Sequence, residues 1–385
     1  MNLKYFKNFK NFIAIGFLFY VPTVSVLGQD VSNFGFTSTK NIASSNIKNQ
    51  GKTGTCWNFA STSLLESELM RMGKGNIDLS EMFIVRNIYV EKAQNYVRRQ
   101  GKAQFDEGAM AHDLFRSIDV YGAMPESAYS GQQNGDKAHN HAEMVATLKG
   151  FLDGLLTQKE QGISQKWVVA FNGILDAYLG KIPQTFEHQG KTYTALQFRD
   201  FLGIKGSDYV NITSFTHHPF YEQVSVEVPD NFSNGLFYNV QLNELMEIVN
   251  GSLEKGYTVC WDADVSNKGF SRKDGIAIEL INDTPSDKSF KEPETEKTIT
   301  TELRQQRFDN LTTTDDHLMH LVGTANDKIG KKYYLTKNSW SENAGQKGIW
   351  YASEAYLMMN TVSIVVHKDA LPKPIASKLK LIAGK

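Results

Sequence analysis

The segment around Cys56 combines the residue types that make a reactive thiol. Apolar residues follow Cys56 at helical spacing, and Gly73 and Gly75 supply a stop, so the sequence predicts a helix that begins at or next to Cys56. A helix N-terminus together with an imidazolium can lower a thiol pKa from ~8.5 to roughly 3.5–7.5. Gln50 lies six residues upstream, where its amide N–H and the backbone N–H of Cys56 could bind an oxyanion. We therefore expect Cys56 to be a nucleophile, although most lone cysteines are simply buried small residues.

Two apolar runs late in the chain contain the residues that would assist such a thiol. Residues 318–324 have strand character and include His320, while residues 333–340 form a second strand that ends in Asn338-Ser339-Trp340. A hairpin of these strands can place Asn338 beside His320, with the amide oxygen accepting from one ring N–H and the other ring nitrogen facing the thiol. Trp340 would cover that hydrogen bond from water.

Other histidines compete for this role. His317 lies three residues before His320 and follows Asp315-Asp316, so the sequence favours a loop position for it over a place facing the thiol. His139 and His141 suggest a metal pair, but residues two apart point away from each other on a helix, and no further ligands are evident. The sequence therefore predicts neither a metal nor a cofactor.

In this order, the motifs resemble those of the papain-like cysteine peptidases, and within them the bleomycin hydrolase and aminopeptidase C branch. The resemblance rests on Gln50, the Cys56-Trp-Asn-Phe-Ala segment, a late histidine in a strand, Asn338-Ser-Trp and a Gly-x-x-Gly turn. It extends from about residue 32 to about residue 368. Segments in the middle of the chain that occur in the order of this branch are 175–183, 194–201, 209–211, 238–241 and 256–265.

The resemblance implies an α+β, papain-like two-lobed fold, with a helical lobe, an antiparallel β lobe and a largely helical insertion at about residues 131–250. It implies a cysteine-type peptidase that forms a thioester acyl-enzyme and acts on free peptide amino termini. An open-cleft endopeptidase and an inactive papain-scaffold binding protein are the alternatives. Members of the branch form ring-shaped hexamers, so a homohexamer is expected here. The implied catalytic roles are Cys56 as nucleophile, His320 as general base and acid, Asn338 as orienter and Gln50 as oxyanion donor.

The expected substrate-binding residues are Gly108, Glu107 and Trp340. Gly108 matches one of two glycines that bind the substrate backbone in papain-like enzymes, and Glu107 replaces the other. The Glu107 carboxylate would either attract an amino terminus or a basic side chain, or point to solvent. In the branch, a C-terminal arm lies in the cleft and its carboxylate holds the substrate amino group. The tail 369–385 is shorter than that arm and ends basic.

The first residues have the layout of a secretory signal. Lys4, Lys7 and Lys10 precede an apolar stretch from residue 12 to residue 27, with a cleavage point before Gln29. We expect export to the periplasm or the outside; the alternative is the cytoplasm, as is usual for the family. The apolar run is short and partly polar, so no stable membrane span is expected. The predicted division is a signal peptide at 1–28, a peptidase domain at 29–368 and a tail at 369–385.

The composition is that of a globular enzyme. The 385 residues are 41% hydrophobic and 22% charged, which provides ample material for a core. Lysine and arginine number 41 against 42 acidic residues, and this near-neutral balance argues against a nucleic-acid partner and leaves peptide substrates as the expected partners. Cys56 and Cys260 are the only cysteines, and Cys260 lies in an apolar run, so we expect it to be a buried thiol.

Overall fold

The computed structural model of the protein describes residues 32–133 and 135–381. The predicted signal peptide at residues 1–28 lies outside the described residues. Among the helices that are described, none combines the length and the apolar character needed to cross a membrane.

Ten α-helices and thirteen strands form the described part of the chain. The helices are α1 Cys56–Arg71, α2 Glu81–Arg98, α3 Ala111–Tyr121, α4 Ala142–Leu156, α5 Lys166–Leu179, α6 Ala195–Leu202, α7 Leu242–Glu254, α8 Thr301–Asp309, α9 Glu354–Asn360 and α10 Lys373–Lys378. The strands are β1 Thr37–Asn41, β2 Phe186–His188, β3 Lys191–Tyr193, β4 Tyr209–Thr213, β5 Gln223–Ser225, β6 Leu236–Asn239, β7 Val259–Ala263, β8 Phe270–Ser271, β9 Ile276–Ala277, β10 His317–Asn326, β11 Lys332–Lys337, β12 Ile349–Ser353 and β13 Thr361–His367.

The helical half is built around α1, which begins at Cys56 as the apolar spacing predicts. Almost every residue of α1 after Cys56 is buried, because the helix lies between the sheet and the helices α2 and α3. The helix pair α4 and α5 packs on α2, where Tyr96 donates to Asp153 at 2.6 Å. The expected helical insertion therefore contributes to the core of this half: Leu148, Leu152, Phe171 and Leu175 are fully buried in it.

The β half is one large mixed sheet of eleven strands. Its order is β5-β6-β4-β13-β7-β10-β11-β12-β9-β8, and β1 pairs with β10 outside this path. Most neighbours are antiparallel, but β4 with β6 and β9 with β12 are parallel. The predicted hairpin is present as β10 and β11. The α+β, papain-like fold class is confirmed. The β half differs from the expectation in its two parallel pairs and in β4, β5 and β6, which belong to the expected helical insertion and lie at one end of the sheet.

The central strands have two buried faces because successive residues of a strand point in opposite directions. Cys260, Leu318 and Val365 pack into the core of the helical half with α1. Their neighbours Trp261, Met319 and Ile364 pack into a second core with α7. The sheet is thus shared by both halves, with α1 on one face and α7 on the other.

The described part of the tail, residues 369–381, lies on the α7 side of the sheet. Leu371, Ile375 and Leu379 are buried in the α7 core. Lys378 in α10 forms an ion pair of 2.5 Å with Glu244 of α7. This segment therefore does not follow the course expected of a cleft-binding arm, and the terminal carboxylate of Lys385 lies outside the described residues.

Candidate active site

Cys56 is half-buried at the first position of α1, where the backbone N–H groups of the first turn have no partner within the helix. Its sulfur accepts a hydrogen bond from the backbone N–H of Leu318 in β10. The start of the helix is thereby held against the start of β10, where His317 is the first residue.

Gln50 is fixed beside this helix start by two hydrogen bonds of its amide group. Its Oε1 accepts from the hydroxyl of Ser339 at 2.6 Å, and its Nε2 donates to the carbonyl of Thr53 at 2.7 Å. An amide nitrogen has two hydrogens, so one Nε2–H remains for a ligand. The side chain is 6% exposed, which shields this donor from bulk water.

The histidine that meets Asn338 is His317. Its Nε2 lies 2.8 Å from Asn338 Oδ1, and because an amide oxygen only accepts, Nε2 carries the proton and Nδ1 is left as the acceptor. Trp340 stacks on the imidazole with ring centroids 4.5 Å apart. The expected cover by Trp340 is therefore present, but over His317.

The expectation that Asn338 orients His320 is wrong. His320 is fully buried, and its Nδ1 lies 2.9 Å from the hydroxyl of Ser63 in the middle of α1. Lys337 donates to the same hydroxyl at 2.7 Å and to the carbonyl of Ser45 at 2.7 Å. His320 thus belongs to a buried polar network under α1, and the expected loop position of His317 is also wrong because it begins β10.

Strand geometry explains the exchange of roles. His317 and His320 are three residues apart, so their side chains point to opposite faces of β10. In the observed register His320 pairs with Lys337, which turns both side chains toward α1. Asn338 follows Lys337 and therefore points the other way, toward His317.

Burial sets the protonation of the thiol and the imidazole. Burial and the nearby charges of Asp315, Asp230 and Asp262 raise the pKa of Cys56 to about 12, against the lowering effect of the Leu318 hydrogen bond. Burial lowers the pKa of His317 to about 4, although its bond to Asn338 acts in the opposite direction. The expected low-pKa thiolate is therefore not what this environment produces; both groups are neutral at pH 7.

Glu107 and Gly108 lie beside the loop that leads into α1. The Glu107 carboxylate accepts from the backbone N–H of Gly54 at 2.6 Å, and its carbonyl accepts from the Trp57 indole at 3.1 Å. The Glu107 carboxylate therefore does not simply point to solvent; it holds the loop. At Gly108 an added Cβ would lie 2.0 Å from Asp230 Oδ2, so this carboxyl group rests directly on the glycine.

Three acidic residues near Cys56 were not singled out by the sequence reasoning. Asp230, Asp262 and Asp315 come from separate segments and all act electrostatically on the thiol. A sequence signal existed for Asp315, which lies two residues before His317, and for Asp262, a charged residue inside an apolar strand.

Among the residues that the structure describes, one group has the composition of a metal site: His217, His218 and Glu227 bring their donor atoms within 4.8 Å of one another. These side chains also pair with each other, at 3.2 Å and 2.8 Å between ring nitrogens and carboxylate oxygens. Within the described part of the chain, this group makes none of the hydrogen bonds or ring contacts that build the Cys56 site.

Comparison with known proteins identifies the family of the chain. The profile of the Peptidase C1-like family matches residues 102–382. Aminopeptidase G of Lactobacillus delbrueckii subsp. lactis is 24% identical over 86% of this chain and 83% of its own length. Aminopeptidase C of Listeria monocytogenes is 24% identical over 87% of this chain and 82% of its own length. The chain is also similar to the crystal structure of PepW from Lactobacillus rhamnosis, with a TM-score of 0.72 and 20% sequence identity. The match covers 90% of this chain and 85% of the PepW chain.

The fold and the matched profile define a cysteine peptidase of the papain-like class. The chain belongs to the Peptidase C1-like family, since the matched residues make up well over half of it. The resemblance to the aminopeptidase C branch, given by the motifs around Cys56 and Asn338, is confirmed.

Proposed function

We propose that the protein is a cysteine aminopeptidase in which Cys56 is the nucleophile, His317 the general base and acid, Asn338 the orienter and Gln50 the oxyanion donor. The observation that supports this assignment best is the bond between His317 Nε2 and Asn338 Oδ1, because it leaves the Nδ1 lone pair for the thiol. The relatives named aminopeptidase C and aminopeptidase G support the activity on amino termini.

In the first half-reaction, the sulfur of Cys56 attacks the carbonyl carbon of the substrate while His317 Nδ1 accepts the thiol proton. Since both groups are neutral beforehand, proton transfer accompanies the attack. The carbonyl oxygen becomes an oxyanion held by the free Nε2–H of Gln50 and the backbone N–H of Cys56. The C–N bond then breaks, His317 gives its proton to the leaving amine, and a thioester remains on Cys56.

In the second half-reaction, water attacks the thioester. His317 accepts a proton from the water as the C–O bond forms, and the tetrahedral intermediate collapses by breaking the C–S bond. The proton returns from His317 to the sulfur, which restores the thiol and releases the amino acid.

The experiment that tests this function compares hydrolysis of leucine 4-nitroanilide by the wild type, Cys56→Ala and Cys260→Ala. We expect Cys56→Ala to be inactive and folded, and Cys260→Ala to retain most activity because Cys260 is fully buried against Ser61. Equal loss in both variants would contradict the choice of nucleophile. Preference of the wild type for the N-acetylated anilide would contradict the aminopeptidase assignment.

We also propose that the protein is exported, with cleavage of residues 1–28 before Gln29. The support is the sequence pattern of three lysines followed by an apolar stretch. Amino-terminal sequencing of the protein expressed with its own first residues tests this. A product that starts at Met1 and stays in the cytoplasm would contradict it.

Self-association into a homohexamer is proposed on the resemblance to the aminopeptidase C branch. Sedimentation analysis tests this, and a species near the 43.3 kDa of one chain would contradict it.

A further inference from the structure

Arg272 lies close to the proposed catalytic histidine but takes no part in the proposed mechanism. It is the first residue of the turn between β8 and β9. Its guanidinium carbon lies 4.7 Å from the centre of the Trp340 ring. Trp340 in turn stacks on the His317 imidazole, with ring centres 4.5 Å apart. Two contacts therefore connect the positive charge of Arg272 to the ring that carries the proton.

The turn that contains Arg272 is fixed to the neighbouring strand and loop. The carbonyl of Ser271 accepts from the Trp350 indole of β12 at 3.0 Å. The carbonyl of Asp274 accepts from the Gln346 amide at 2.9 Å. The backbone that presents the guanidinium is thus already ordered, which reduces the ordering that a ligand of Arg272 would have to bring about.

The guanidinium of Arg272 is available to a ligand. The residue is exposed, and in the described part of the chain its side chain forms no ion pair and no hydrogen bond. Arg86, Arg116 and Arg307, in contrast, each have a carboxylate partner. A guanidinium has five donors in a planar fork, which fits a carboxylate through two parallel hydrogen bonds. Arg272 therefore offers a carboxylate site beside Trp340.

The proposed mechanism directs the leaving part of the substrate toward this residue. His317 gives its proton to the leaving amine, so that nitrogen comes within hydrogen-bond distance of the imidazole. The oxyanion donors, Gln50 and the backbone N–H of Cys56, lie at the start of α1 instead. Beyond the leaving nitrogen, the chain therefore meets the β half, where Trp340 is half-buried and Arg272 is exposed.

We propose that Arg272 binds a carboxylate of the leaving segment, and so makes short peptides with a free carboxyl terminus the preferred substrates. The carboxyl carbon of a single leaving amino acid lies about 2.5 Å from its nitrogen. The charge of a dipeptide is thus near the imidazole, as Arg272 is. This inference rests on the proposed aminopeptidase function and assigns the residue that would recognise the leaving side of its substrate.

Binding at Arg272 has a consequence for His317. Burial is the largest cause of the lowered pKa of His317, and the positive charge of Arg272 lowers it further. A bound carboxylate offsets that positive charge, which makes the imidazole a better acceptor for the thiol proton. A substrate with an amidated end supplies no such charge. The carboxylate would then assist both binding and the first proton transfer.

Release of leucine from matched peptides tests the proposal. Leucyl-glycine and leucyl-glycinamide differ in the charge of the chain end. We expect the wild type to have about tenfold or more higher kcat/KM for leucyl-glycine, because an arginine–carboxylate pair is a charge-assisted, bidentate contact. Arg272→Gln should reduce this ratio to about twofold or less. Lys273→Gln removes the neighbouring exposed cation and should leave the ratio unchanged.

A second pair of substrates identifies the source of the carboxylate. Leucyl-aspartamide and leucyl-asparaginamide both have an uncharged chain end and differ in the charge of the side chain. A preference that depends on Arg272 and is confined to leucyl-aspartamide would assign the site to acidic side chains and overturn the preference for short peptides. Ratios near one in both pairs, or ratios that Arg272→Gln leaves unchanged, would overturn the carboxylate site itself.

Leucine 4-nitroanilide, whose leaving group has no carboxylate, provides the remaining control. Arg272→Gln should lower kcat/KM less for the anilide than for leucyl-glycine. Equal losses on the two substrates would mean that Arg272 acts through Trp340 and His317 and not on a carboxylate. Absence of anilide hydrolysis by the wild type would contradict the proposed function, whereas anilide hydrolysis together with a peptide ratio near one would overturn only this inference.

Discussion

The two ends of a four-residue stretch of β10 contain histidines with opposite surroundings. His317 lies at the mouth of the site between Asn338 and Trp340, while His320 lies under α1 and bonds to Ser63. Both are buried and neutral, and burial lowers the pKa of each. The comparison shows that residue type and burial do not distinguish the two histidines. The hydrogen-bond partners of their ring nitrogens do.

Replacing His317 should have the largest effect. We expect His317→Ala to lower kcat/KM by about 10³-fold or more, because His317 is the group that carries the proton in the proposed mechanism. His320→Ala should change kcat/KM of the folded protein by about threefold or less, since its ring bonds to Ser63 and not to the site. Steady-state kinetics on leucine 4-nitroanilide measures both. A larger loss of kcat/KM in His320→Ala than in His317→Ala would indicate that His320 is the general base.

The pH dependence of stability should reveal the buried neutral histidine. The pKa of His317 is about 4 in the folded protein, against about 6.5 in an unfolded chain. Between these values the unfolded chain binds a proton that the folded protein does not, so the stabilisation present above pH 6.5 is lost as the pH falls toward 4. The loss amounts to about 3 kcal/mol.

Denaturant unfolding of the wild type and of His317→Gln between pH 7 and 4 measures this effect. The raised pKa values of Asp262 and Asp315 act with the opposite sign, but they are common to both proteins and cancel in the difference. The wild type should lose more stability than the variant. Parallel curves would mean that His317 titrates normally.

His320 should matter for folding. His320→Ala removes a fully buried ring and one hydrogen-bond partner of the buried Ser63 hydroxyl, so we expect a loss of about 2–4 kcal/mol in the free energy of unfolding. The matched measurement on His317→Ala should give a smaller loss, because His317 lies at the edge of the core. Equal losses in the two variants would mean that His320 is no more important for stability than His317.

Asn338 should have a smaller effect on catalysis than His317. Asn338→Ala removes the acceptor that fixes the His317 tautomer but leaves Trp340 stacked on the ring. We expect kcat to fall by about 10-fold, with little change in KM, because the proton carrier itself remains. A loss as large as that of His317→Ala would mean that Asn338 does more than orient the ring.

Much of the fold follows from patterns that the sequence contains. The start of α1 at Cys56, the helical character of the first part of the insertion and the hairpin of β10 and β11 were predictable because apolar spacing and turn residues act locally. The register of that hairpin was not predictable, since it depends on the bond that Lys337 of β11 makes to Ser63 of α1. A shift of one residue decides whether Asn338 faces His317 or His320.

The same limit applies to the electrostatics of the site. Motifs gave Cys56, Asn338, Gln50 and Gly108 as candidates, but the raised pKa of the thiol depends on Asp230, Asp262 and Asp315. The three residues lie far apart in the sequence, and nothing in the local pattern of Asp230 indicates that it rests on Gly108. Such long-range placements arise only when the chain is folded.

The position of β10 among its neighbours determines how activity is lost when the protein unfolds. This strand is bonded to β7, β11 and β1, and nearly all of its residues are buried. We therefore expect the amide hydrogens of β10, including those next to His317, to exchange only on global opening. We expect no local unfolding of the site before the sheet unfolds, so activity and tertiary structure should be lost in the same denaturant transition.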